Sequence, residues 1–173
     1  DTIADNLNIF NRLFIIDDQP AFNTKLRSSR RIMKSAKRHF VDPSLAVAAL
    51  GATQEMLYND LNTFGFLFEA LCEHDLKIYA NTIGANMFHD RDEKGNEADA
   101  VVELPDGRWG AFEIKLGAGQ IDSAAEELLK LKGIMEREGD NPPAVLCVIC
   151  GLSNAAYKRP DGVYVIPLTA LRD

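Results

Sequence analysis

Apolar positions keep helical spacing through the first part of the chain, then strand spacing, with one later return to helical spacing. Ile3, Leu7, Phe10 and Leu13 recur three or four apart and predict a helix over Thr2 to Leu13. Phe14-Ile15-Ile16 reads as a short strand and His39-Phe40-Val41 as another. Asp42-Pro43 is a helix-start signal, an Asp cap followed by Pro at the first helical position. It opens a helix over Ser44 to Leu50 that Gly51 ends, and a further helix begins near Thr53. A long helix is expected from Leu61 to Tyr79, with Leu61, Phe64, Phe68, Leu71 and Tyr79 on its core face.

Beyond it the period shortens. Asn86 to Asp90 is strand-like, and Asp92-Glu93-Lys94-Gly95-Asn96 has turn composition. Glu97 to Leu104 and Arg108 to Leu116 read as two strands joined by Pro105-Asp106-Gly107, a hairpin. Gly117 and Gly119 break the chain before a helix from about Gln120 to Glu138, with Ile121, Ala125, Leu128, Leu131 and Met135 as its stripe. Ala144 to Cys150 is a buried strand, and Val163 to Ile166 is the last. From Leu61 the order is helix, three strands, helix, two strands. That order predicts an α/β fold, a mixed sheet with helices on both faces, preceded by a small helix/strand extension.

Composition adds bounds. The chain has 173 residues, 46% hydrophobic and 26% charged, the profile of one globular domain with a small appendage. No apolar run approaches the roughly 20 residues that span a bilayer, so no membrane partner is expected. Cys72, Cys147 and Cys150 are an odd set without a disulfide framework, which points to a reducing, cytoplasmic setting. Cys147 and Cys150 have C-x-x-C spacing but lie inside the buried-strand run, where residues three apart face opposite ways, so both read as core. Net charge is −7, unlike a general nucleic-acid binder. The charge is segregated, however. Lys25, Arg27, Arg30, Arg31, Lys34, Lys37 and Arg38 follow one another with no acidic residue between them. Such a stretch can track a phosphate backbone, or it can form a solvated loop against an acidic neighbour.

Candidate chemistry gathers on the hairpin. Strand alternation puts Glu113 and Lys115 on one face, roughly 7 Å apart, with Gly110, Phe112, Ile114 and Leu116 on the other. On the preceding strand Glu97, Asp99, Val101 and Glu103 are expected to share a face, so the hairpin can bring Asp99 near Glu113. Two carboxylates beside each other in a half-buried sheet repel and lose solvation, and a hard divalent cation relieves both costs. The alternative is a cross-strand carboxylate–Lys ion pair facing solvent. Glu69 sits at the edge of the long helix's core face with Gly65 and Glu73 at i±4, and so lacks a helical ion-pair partner, whereas Glu73 and Lys77 read as a solvent pair. His39, His74 and His89 are scattered and suggest no zinc site. Trp109 reads as a packing residue. Gly117-Ala118-Gly119 lacks the third glycine of a dinucleotide fingerprint, Asp122 standing in its place.

These residues resemble a known pattern. A helix with Glu69, then Glu97-Ala98-Asp99, then Phe112-Glu113-Ile114-Lys115 followed by Gly117 and Gln120, resembles the PD-(D/E)xK nuclease core, with Ala98 where many members carry Pro. The resemblance implies a restriction-endonuclease-like αβββαβ core. It also implies Asp99, Glu113 and Glu69 as ligands of Mg²⁺ or Mn²⁺, Lys115 as the group assisting the attacking water, and Gln120 completing the site. Ile3-Ala4-Asp5-Asn6-Leu7, Phe14-Ile15-Ile16-Asp17-Asp18 and above all Lys37-Arg38-His39-Phe40-Val41-Asp42-Pro43-Ser44-Leu45 are similar to the C-terminal domain of prokaryotic AAA+ family P-loop ATPases. That similarity implies an N-terminal ATPase module on a longer polypeptide. ATP would bind only there, since this chain has no G-x-x-x-x-G-K-[ST]. The chain is also expected to be a piece because it lacks an initiator Met. On this reading residues 1–42 are an extension packed on or linking to the ATPase module, and residues 43–173 are the nuclease-like domain. The expected partner is DNA or another nucleic acid, held by Lys25 to Arg38. The rival expectation is a catalytically inactive DNA-binding or protein-interaction module of the ATPase.

Overall fold

A computed structural model describes residues 2–22, 36–91 and 97–171. Its amino-terminal part holds helix α1 (Thr2–Arg12), strands β1 (Ile16–Gln19) and β2 (Lys37–Phe40), and helices α2 (Pro43–Leu50) and α3 (Gln54–Asn59). The remainder runs through α4 (Leu61–Thr82), β3 (Asn86–Arg91), β4 (Glu97–Glu103) and β5 (Trp109–Lys115). A 3-10 turn (Ala118–Gln120) then leads into α5 (Ile121–Glu138), β6 (Val145–Cys150), β7 (Tyr157–Lys158) and β8 (Tyr164–Ile166).

Six strands form one sheet in the order β3-β4-β5-β6-β8-β7. The first three are antiparallel neighbours, while β6 lies parallel to both β5 and β8. The sheet is therefore mixed, because a helix and not a hairpin connects β5 to β6. Helix α4 covers one face, packing Phe68, Cys72 and Leu76 against Ala100, Ile114 and Ile149. Helix α5 covers the other with Ile121, Ala124, Ala125, Leu128 and Leu131, against Val101, Ala111, Val148 and Val163. Both faces of β6 are thus buried, which is why its sequence is a continuous apolar run. The expected mixed α/β architecture with helices on both faces is what forms. Cys147 and Cys150 are buried free thiols, as the strand pattern predicts. Ile149 is fully enclosed, so Ile149→Val should cost about 1 kcal/mol, read as a lower urea midpoint at unchanged slope.

Three local details differ from the sequence pattern. Strand β7, antiparallel to β8, is an added strand that the pattern does not predict. Strand β1 starts at Ile16, because Phe14 takes a left-handed turn (φ 55°) out of α1 and the Ile15 N–H reaches back to the Phe10 carbonyl (3.0 Å). The buried stripe of α4 is Phe68, Cys72, Leu76 and Ala80, and Leu61 lies exposed. That is a rotation of the helix from the expected face, and it carries the neighbouring Glu69 and Glu73 inward.

The amino-terminal ribbon is docked on the core. Strands β1 and β2 pair antiparallel, with Gln19 opposite Lys37 and Asp17 opposite His39. The chain beyond β1 runs along the edge strand β3, where the Phe22 N–H donates to the His89 carbonyl (2.7 Å) and the His89 N–H to the Pro20 carbonyl (3.0 Å). Phe22 then packs on Trp109, ring centroids 4.6 Å apart, which confirms Trp109 as a packing residue. Helices α1, α2 and α3 bury no residue of their own.

Candidate functional site

The hairpin predicted around Pro105-Asp106-Gly107 forms, closed by the Gly107 N–H to the Leu104 carbonyl at 2.9 Å, with Gly107 at φ 83°. Its far end opens. Pairing of β4 with β5 runs from Glu103 opposite Trp109 to Ala100 opposite Phe112 and stops there. On the other side of β4, Val101 pairs with Phe88 and Ala98 with Asp90, so β4 carries one residue more than β3 in that interval. This is a β-bulge at Asp99 and Ala100, and it breaks the alternation. Ala98 and Val101 both join the core under α5, and Ala100 joins the core under α4. The expectation that Glu97, Asp99, Val101 and Glu103 share one face is corrected by that extra residue.

The bulge re-aims Asp99 into the opening. Its Oδ2 accepts the Ile114 N–H at 2.7 Å, an amide left over where the ladder ends, and lies 3.6 Å from the Lys115 Nζ. Glu113 and Lys115 alternate with Ala111 onto the α5 side of β5. Glu113 is only 1% exposed. Its Oε2 accepts from the Lys115 Nζ at 2.6 Å, and its Oε1 has no hydrogen-bond partner among the described residues. Burial first, and the Asp99 charge second, push the Glu113 carboxyl up to about 8. Burial works to lower the Lys115 ammonium, but Asp99 and Glu113 outweigh it and hold it above its usual range.

Glu69 lies on α4, which covers the opposite face of the sheet. Its carboxyl is raised, by burial first and by the Asp99 charge second, so Asp99 is the acidic group felt from both faces. Glu69 does have a partner: the Lys37 Nζ stands 2.5 Å from its Oε1 and 2.7 Å from the Glu73 Oε1. Glu73 is buried and does not pair with Lys77, which instead bonds Asp17. The solvent-pair reading of Glu73 is therefore overturned. A signal for it was present, since Glu73 follows Glu69 by four residues and must lie on the same helix face.

His39 and Gln19 complete this network. The Gln19 Nε2 donates to the Phe88 carbonyl (2.7 Å), which leaves its Oε1 to accept from the His39 Nε2 at 3.2 Å. The other ring nitrogen, Nδ1, then stands 3.0 Å from the Glu73 Oε2. That separation suits an ion pair, although the oxygen has no well-aligned hydrogen bond. Beside these groups a cavity of about 280 Å³ opens between the ribbon and α4, lined by Asp17, His39, Glu73, Lys77 and Met87 among others.

Other expected site residues lie apart. Gln120 ends the 3-10 turn before α5, and its Oε1 accepts the Gly117 N–H at 3.2 Å, so it closes the exit from β5. Of the basic stretch, Lys25, Arg27, Arg30, Arg31 and Lys34 lie outside the described residues. Lys37 is turned onto Glu69 and Glu73, and Arg38 onto Asp18 at 2.8 Å.

The donor set of Asp99, Glu113 and Glu69 is all oxygen, which suits Mg²⁺ or Mn²⁺. The unpartnered Glu113 Oε1 fits such an ion. Among the described residues, however, no three His, Cys, Asp or Glu side chains converge as a ligand set. The oxygens stand instead as two pairs, Asp99 with Glu113 around Lys115 and Glu69 with Glu73 around Lys37. No helix among the described residues is long and apolar enough to cross a membrane.

Comparison with known proteins returns two families. The model of one, described as "Domain of unknown function (DUF4143)", matches residues 64–171. Another, described as "Domain of unknown function (DUF8612)", matches residues 1–56. No curated protein and no solved structure matches the chain.

Proposed function

The chain belongs to the DUF4143 family of domains of unknown function, and on that footing we propose that it is a nuclease-like domain of the PD-(D/E)xK type, acting with Mg²⁺ or Mn²⁺ on nucleic-acid phosphodiesters. Domains of this family are common in the C-terminal regions of AAA ATPases, which supports placing ATP binding on a module outside this chain. The observation that carries the reading is Glu113, an enclosed carboxylate with one oxygen on Lys115 and the other without a donor, next to Asp99. An unmet buried acceptor costs roughly 1–3 kcal/mol, and an ion at the Glu113 Oε1 would recover it. The helix–strand–strand–strand–helix–strand order from α4 to β6 supports it too.

In this reading Asp99 and Glu113 would hold the ion, with Glu69 on the flank, and the ion would supply Lewis-acid stabilisation of the charge developing on the phosphoryl group. Glu113 would hold the ion as the ionised carboxylate. Lys115, bonded to Glu113 and 3.6 Å from Asp99, then orients a nucleophilic water and stabilises negative charge beside it. Gln120 holds the turn that follows Lys115. The segment from Lys25 to Lys34 would supply backbone contacts to DNA or RNA. The purified chain, given MgCl₂ or MnCl₂, is expected to cleave at least one of linear duplex, circular duplex, single-stranded DNA and RNA. Intact substrates in every case would refute the proposal.

A second reading has its own support. Ile3, Ile9 and Phe10 on α1, Leu13 just after it, and Leu45, Leu50 and Met56 on α2 and α3 are exposed. Such a display suits a protein-interaction module of the ATPase, with the fold kept and the chemistry absent. Salt-dependent DNA binding without cleavage, or binding to a protein partner that ignores DNA, would favour it.

A further inference from the structure

We propose that the cavity between the amino-terminal ribbon and α4 is a binding site for a small aliphatic primary amine, with Glu73 as the partner of its ammonium group. The inference goes beyond the nuclease reading and does not depend on it. The cavity, of about 280 Å³, has Phe40 and Val41 on the ribbon side and Ile78 and Met87 on the side of α4 and β3. The first wall belongs to the region matched at residues 1–56 and the second to the region matched at 64–171. Small-molecule sites favour such junctions, and they combine apolar walls with a few polar groups that fix orientation. Phe40 and Ile78 are part-exposed, so the space opens to solvent. Its volume lies near the lower end of the usual range of roughly 300–1,000 Å³, which sets a compact ligand.

Glu73 supplies the polar end. Its side chain is only 4% exposed. The Oε1 turns to Lys37, which is not a wall residue, and the Oε2 turns to His39, which is, so Oε2 lies on the cavity side. The His39 Nδ1 stands 3.0 Å away without an aligned bond, and Oε2 has no hydrogen-bond partner among the described residues. A donor entering from the cavity therefore breaks no hydrogen bond at that oxygen and removes the cost of an unmet buried acceptor. Charge selects a cationic donor. Asp17 is matched by Lys77, whereas Glu69 and Glu73 share the one ammonium of Lys37 and leave a negative charge over. An ammonium group brings both the charge and the donors, and the apolar walls take its hydrocarbon.

Isothermal titration calorimetry on the purified chain tests this with three probes of one length: n-hexylammonium, hexan-1-ol and hexanoate. Hexylammonium should bind saturably at a single site. Hexanol should bind about tenfold more weakly or worse, for want of the charge-assisted bond, and hexanoate should not bind. E73Q, which keeps the shape, should weaken hexylammonium by about tenfold or more. I78W, which fills the mouth from an exposed position, should abolish binding, and it decides alone should circular dichroism show E73Q unfolded. Nα-acetyl-lysine amide separates two sources of the same chemistry. Binding as tight as that of hexylammonium assigns the site to a lysine side chain of a partner, and exclusion assigns it to a free amine. Hexanol or hexanoate binding as well as hexylammonium, an affinity unchanged in folded E73Q or I78W, or no saturable binding of hexylammonium would each overturn the proposal.

Discussion

Lys115→Ala is expected to lower metal-dependent phosphodiester cleavage by about 10²–10⁴-fold, the range lost when a positioned proton-transfer or charge-stabilising group is removed. The expectation follows from where Lys115 sits. Its ammonium is 2.6 Å from the Glu113 Oε2 and 3.6 Å from the Asp99 Oδ2, so anything held between those carboxylates has Lys115 as a neighbour. The fold should survive the change. With the ammonium gone, Glu113 loses the influence that lowers its affinity for protons and remains neutral in its enclosed position, so circular dichroism and the melting temperature should stay near wild type. Lys115→Arg should not restore activity, because a guanidinium is larger, planar and always charged. Cleavage that persisted in both Lys115→Ala and Asp99→Ala would place the chemistry elsewhere.

The second large effect is on stability and its pH dependence. Glu113 has an ordinary value of 4.5 and is pushed up to about 8 in the folded chain. The folded state therefore binds this proton more tightly than the unfolded state does. Because stability changes with pH as the unfolded minus the folded proton count, it should fall as pH rises from 4.5 to 8 and level off above. Glu113→Gln keeps the shape and removes the titration. The variant should match wild type near pH 4.5 and exceed it by an amount on the order of a few kcal/mol at pH 8. Mg²⁺ should act in the opposite sense, stabilising wild type at pH 8 by binding the ionised carboxylate and doing nothing for Glu113→Gln. Thermal melts from pH 5 to 8, with and without MgCl₂, check both halves. Parallel pH curves for the two proteins would remove Glu113 from the argument.

What was legible beforehand and what was not divide along sequence separation. The Pro105-Asp106-Gly107 hairpin, the stripe of α5 and the buried β6 follow from periods and turn chemistry inside short windows, and all three form. Asp99, Glu113 and Lys115 are brought together for the same reason, since one hairpin separates them. The expected alternation around Asp99 failed at the bulge, because an extra residue in β4 is defined only against its partner β3.

The sequence by itself determined the order of elements apart from the two-residue β7, the mixed layered architecture and the Asp–Glu–Lys neighbourhood, because each is set by side-chain period and by contacts close along the chain. Only the tertiary structure decided which way α4 turns, that Glu73 is buried, and that Lys37 reaches Glu69 and Glu73 from 32 and 36 residues away. No local pattern encodes those pairings. They exist because the ribbon docks on β3 and α4, and that docking is a balance of burial and charge struck among residues far apart in the chain.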